Sequence, residues 1–94
     1  MNSFIETLKR SSPEPHFSPA LKSLWYDAKG NWERAHAEVD HLTDLDAAWV
    51  HAYLHRKEGD QWNADYWYAK ARKRKPDCSL EEEWESLVSY FLER

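Results

Sequence analysis

The sequence predicts an all-α domain, built as two antiparallel helical hairpins with one further helix capping the C-terminal end. Three observations lead there. Apolar residues recur three and four apart in successive stretches, the period of a helix with one buried side. The only two glycines, Gly30 and Gly59, fall between such stretches, where turns belong. β-Branched residues are few and never alternate with polar ones, so no strand is expected.

The elements follow in order. Residues 3–10 read as a short helix, with Ser3 and Glu6 at capping-box spacing and Phe4, Ile5 and Leu8 on its apolar side. Ser11 to Pro19 holds three of the four prolines and reads as an extended linker. Residues 1–17 are therefore expected to stand apart from a helical domain over 18–94. Ser18 before Pro19 is a helix start, and the helix over 19–29 buries Leu21, Leu24, Trp25 and Ala28. Gly30 ends it. Asn31 caps a helix over 32–42 with the stripe Trp32, Ala35, Val39 and Leu42.

Thr43 or Asp44 caps the next helix, over 45–58. It is apolar around most of its circumference (Leu45, Ala48, Trp49, Val50, Ala52, Tyr53, Leu54), which predicts a central place. After Gly59, Asp60 caps a helix over 61–74. One face carries Ala64, Trp67, Tyr68 and Ala71; roughly opposite lie Trp62, Tyr66 and Ala69. Pro76 stops the chain. Ser79 and Glu82 form a second capping box, and Glu81, Glu82 and Glu83 suit the positive end of a helix over 80–93. Its stripe is Leu80, Trp84, Leu87, Val88 and Phe91.

Length and charge narrow the function. A chain of 94 residues makes one domain. A net charge of −4 argues against nucleic acid, which attracts clustered cations. No apolar run approaches the roughly 18 residues that a membrane span needs, and Met1 to Arg10 lacks a secretory leader. The single cysteine, Cys78, suits a reducing compartment, so a cytoplasmic location is expected. Six Trp, five Tyr and three Phe, set among ten alanines, make rings the substance of the core. So small a chain is expected to leave some rings uncovered, for a second copy or a docked peptide.

The two hairpins look like copies of one unit. Gly30 and Gly59 are each followed five residues later by an alanine, Ala35 and Ala64, and then by a large apolar residue, Val39 and Tyr68. Lys29-Gly30-Asn31-Trp32-Glu33-Arg34-Ala35, Glu58-Gly59-Asp60-Gln61-Trp62-Asn63-Ala64 and the run Ala64 to Ala71 resemble tetratricopeptide and Sel1-like helical repeats over residues 18–76. The resemblance implies an interaction module whose inner helices line a concave surface, with the last helix as a cap.

Two aromatic sets are candidates for partner binding. Trp49, Tyr53 and Arg56 share one face of the helix over 45–58, and these residue types are enriched at binding hot spots. The alternative is that the rings are core and Arg56 reaches out to water. Trp62 and Tyr66 either lie under the last helix or mark an exposed interface.

A different reading is a small metal-binding or enzymatic domain centred on His51 and His55, with His36 as a further ligand. The pair sits at i, i+4, a spacing that holds a metal, although Ala52 stands where a zinc-protease motif has Glu. The plainer reading is a histidine pair on a helix packing face. Lys70, Arg72, Lys73, Arg74 and Lys75 form a basic run better explained as cations at a helix end than as a nucleic-acid site. No nucleophilic triad or phosphate loop is legible, so neither catalysis nor a cofactor is expected.

Overall fold

The computed structural model describes residues 2–93. The chain is all-helical: α1 (Asn2–Thr7), α2 (Pro19–Ala28), α3 (Trp32–Val39), α4 (Leu45–Glu58), α5 (Gln61–Ala71) and α6 (Leu80–Leu92). Short polar side chains set five of the starts. Ser18, Asn31, Asp44, Asp60 and Ser79 each accept from the amide three residues on. At Ser79 the Glu82 carboxylate returns a bond to the cap amide, completing the capping box. Asp44, not Thr43, caps α4.

The same turn ends three helices. Gly30 and Gly59 take φ of +82° and +89°, which an L side chain rarely adopts. Asn31 and Asp60 then donate back to the carbonyls of Tyr26 and His55, both at 2.9 Å. Each of these two residues thus closes one helix and caps the next. Arg72 adopts the same left-handed form, and Lys73 donates to Tyr68. That turn stops α5 at Ala71, short of the expected 74. Likewise α3 stops at Val39 rather than 42.

α2 packs on α3 and α4 on α5, with α3 also against α4. Alanine at the crossings allows the close approach: Ala35 and Ala64 are fully buried. α6 packs across α2 and α4, so it closes the open side of the inner helices instead of stacking on α5. Leu87, Val88 and Phe91 enter the main core beside Leu24, Trp25, Val50, Tyr53 and Leu54.

Several expectations need correction. α1 already begins by Asn2, so Ser3 lies inside it and no Ser3–Glu6 box forms there. The N-terminal segment does not stand apart: Phe4 is buried against Phe17 and Trp84, and the Trp25 indole donates to Thr7 Oγ1 at 3.1 Å. On α2, Ala28 is exposed while Ser23 and Asp27 are buried, so the inward face is rotated from the expected stripe. Leu45, at the start of α4, faces solvent.

Most rings are covered, while Trp62, Tyr66 and Tyr90 stay exposed. The chain's surface of 5777 Å² matches the roughly 5,700 Å² expected for a compact monomer of this mass. Indole N–H groups find partners at Leu24 O (from Trp84) and Leu54 O (from Trp32). Among the described residues no helix is long and apolar enough to cross a membrane.

Candidate functional site

The first candidate set, Trp49, Tyr53 and Arg56, does share a face of α4, but α6 covers it. Tyr53 is 2% exposed, and its hydroxyl donates to Asp27 Oδ2 at 2.7 Å. Burial first, then the Asp27 carboxylate, push this phenol well above its usual pKa. Asp27, also buried, takes a second bond from Lys57 Nζ at 2.8 Å. Trp49 packs edge-on against Tyr90 and Phe91, with Lys73 Nζ 4.2 Å from its ring centre. Arg56 donates to Glu83 Oε1 at 2.8 Å and to the Cys78 carbonyl. The expectation that these three form an open docking surface is therefore corrected. Trp49 and Arg56 meet the chain's own α6, and Tyr53 bonds Asp27 of α2.

Periodicity signalled neither Asp27 nor Glu83 as site residues, yet both buried acids organise this region. Each interrupts an apolar stripe, Asp27 three residues after Leu24 and Glu83 three after Leu80. That interruption is the signal that could have found them. A cleft of about 510 Å³ opens beside Asp27, Tyr53 and Lys57, walled by Ile5, Leu80 and Trp84. There Asp27 accepts from both Tyr53 and Lys57.

The second set is open. Trp62 is 77% exposed and Tyr66 47%. Their rings lie nearly parallel, 7° apart with centres at 6.4 Å. Lys70 Nζ sits 5.6 Å from the Tyr66 ring centre. Trp62, Tyr66 and Lys70 follow one another at i, i+4 and i+8, so indole, phenol and ammonium make a ladder along α5. Because α6 lies elsewhere, it does not cover them. Beyond the ladder, Arg72 to Lys75 leave the helix as an exposed basic strip.

The histidines converge. His51 and His55 point from α4 toward His36 on α3, and one nitrogen of each ring lies within 4.8 Å of the other two. His36 Nε2 is 2.9 Å from His51 Nε2. Aromatic rings wall the cluster: Trp32 stacks on His36 at 4.9 Å and Trp67 on His51 at 4.0 Å. His51 is 5% exposed. Burial, then the neighbouring His36 and His55, lower its pKa to about 4, so it is neutral at pH 7. Burial lowers that of His36 as well. Asp40 Oδ2 stands 3.6 Å from His36 Nδ1, and Glu58 Oε2 3.5 Å from His55 Nδ1. His51 Nδ1 and His55 Nδ1 are buried without a hydrogen bond.

The sequence grouped these three histidines but gave no sign of the Trp67 wall. His41, exposed beside Asp40, is outside the cluster. Cys78 is half-buried in the α5–α6 connection. Compared with family models, with curated proteins and with solved structures, the chain matches none.

Proposed function

We propose that this chain is a protein–protein interaction module of helical-repeat type, and that its partner is an acidic peptide segment bearing an apolar anchor. The observation that carries the reading is Trp62, an indole 77% exposed and stacked parallel to Tyr66. A large ring left in water costs free energy that a docked apolar group recovers, and Trp, Tyr and cationic side chains dominate binding hot spots. Lys70 extends the ladder, and Arg72, Arg74 and Lys75 continue it with exposed cations. That sequence of groups favours an anchor on the rings and carboxylates toward the basic strip. α2 to α5 act here as the rigid body that presents α5, with α6 holding the inner side closed.

The test is a fluorescence anisotropy titration with labelled acidic peptides, each carrying one Leu, Phe or Trp. Binding is expected to weaken at least about tenfold, or 1.4 kcal/mol, in Trp62→Ala, and to fall with added salt. Unfolding of that variant should match the parent, because the ring is exposed. Failure of every acidic peptide to bind, or equal binding by Trp62→Ala, overturns the proposal. So does a sedimentation result in which the parent is a dimer that Trp62→Ala splits, since the occupant is then a second copy.

A further inference from the structure

We propose that His36, His51 and His55 form a binding site for a borderline divalent transition-metal ion of the zinc class, which clamps α3 to α4. The site is independent of the α5 ladder.

Two observations point to a ligand rather than to packing alone. The first is the donor set. Three imidazoles from two helices place nitrogens within 4.8 Å of one another, and imidazole is the ligand that zinc, copper and nickel share. Zinc sits about 2.0–2.1 Å from histidine nitrogen, which places tetrahedral ligand atoms about 3.3 Å apart. One nitrogen of each ring lies within 4.8 Å of the other two, close to that spacing. Small ring movements therefore bring all three onto one ion.

The second observation is polar atoms without partners. His51 is 5% exposed, yet its Nδ1 makes no hydrogen bond; neither does His55 Nδ1. Leaving a buried polar group unpaired is costly. One histidine–histidine bond cannot satisfy both ends of these rings. A cation that takes His51 Nδ1 and His55 Nδ1 engages nitrogens that the protein leaves idle.

The surroundings fit as well. Metal-bound histidines characteristically have a carboxylate behind the other ring nitrogen. Asp40 stands there for His36, 3.6 Å from its Nδ1. Trp32 and Trp67 hold two of the rings flat against their own. Three protein ligands leave one tetrahedral position for water or an exogenous donor.

The test uses the full chain without a histidine tag, stripped with chelator and titrated with Zn²⁺ and Co²⁺. One ion per chain is expected, with a rise in melting temperature and a tetrahedral Co²⁺ absorbance. Imidazole ¹⁵N resonances of His36, His51 and His55 should shift on Zn²⁺ addition, while those of His16 and His41 stay in place. Asp40→Asn should weaken binding about 10–100-fold, and His36→Gln by at least as much. Circular dichroism of each variant confirms that it is folded; His36, partly exposed, tolerates replacement better than His51. No bound zinc in the parent overturns the proposal. So does binding that survives His36→Gln, or that falls equally in His41→Gln.

Discussion

Arg56 on α4 and Glu83 on α6 form an ion pair at 2.8 Å, with the Glu83 side chain 4% exposed. The second Glu83 oxygen accepts from the Tyr68 hydroxyl at 2.5 Å. One carboxylate therefore ties α6 to both helices of the α4–α5 hairpin. Arg56 has its pKa raised chiefly by the bond to Glu83. Removing the acid by Glu83→Ala leaves the half-buried Arg56 cation with only the Cys78 carbonyl, and the buried Tyr68 hydroxyl without its acceptor. The expected loss is about 3–5 kcal/mol, read from urea denaturation. Glu83→Gln keeps two hydrogen-bonding atoms and should cost less. A loss in Glu83→Gln as small as that of a surface change, beside a large one in Glu83→Ala, would show that the charge adds nothing beyond packing and hydrogen bonding.

Phe4 offers a measure of how firmly the N-terminal segment belongs to the domain. Its ring is 2% exposed, 5.3 Å from that of Phe17 and 6.0 Å from that of Trp84. Phe4→Ala should cost about 3 kcal/mol or more, with Trp84 fluorescence shifting toward the red. A loss within about 0.5 kcal/mol, the usual size for a surface change, would return residues 1–17 to the status of a loose arm.

Acid should weaken the metal-free protein. In the unfolded chain a histidine titrates near 6.5, whereas His51 in the fold has a pKa of about 4. Burial is the main cause; His36 and His55 add repulsion, and Asp40 pulls weakly the other way. His36 is lowered too. The folded state therefore binds fewer protons through this window. The stability contribution is complete above about pH 6.5, falls as the pH drops, and flattens below about 4. For His51 alone it amounts to about 3 kcal/mol. Denaturation in chelator at pH 7 and 4.5 should show the loss, and His51→Gln should flatten it. An unchanged slope in that variant would assign the effect to carboxylates.

Much of this architecture was legible because it is local. A capping side chain acts on an amide three residues away, so Ser18, Asn31, Asp60 and Ser79 announce their helices in the sequence. Gly30 and Gly59 likewise mark left-handed turns that neighbouring residues complete. The place of α6 was not local. Periodicity identifies Leu87, Val88 and Phe91 as an inward stripe without naming the surface that receives them. The sequence therefore left open whether α6 covers Trp62 and Tyr66; it lies instead on α2 and α4. The same gap left Trp49, Tyr53 and Arg56 undecided between groove and interior. At the histidines, the i, i+4 pair was visible, but the approach of His36 from another helix depends on how α3 crosses α4.

The bond from Trp84 to the Leu24 carbonyl joins positions 60 residues apart. Hairpins assembled around Gly30 and Gly59 form from near neighbours, while this closure waits for almost the whole polypeptide. During synthesis, the Leu24 carbonyl has no Trp84 partner until α6 has left the ribosome. A nascent chain halted before residue 80 would present a greasy trough, the kind of surface that chaperones seize and that aggregates nucleate upon.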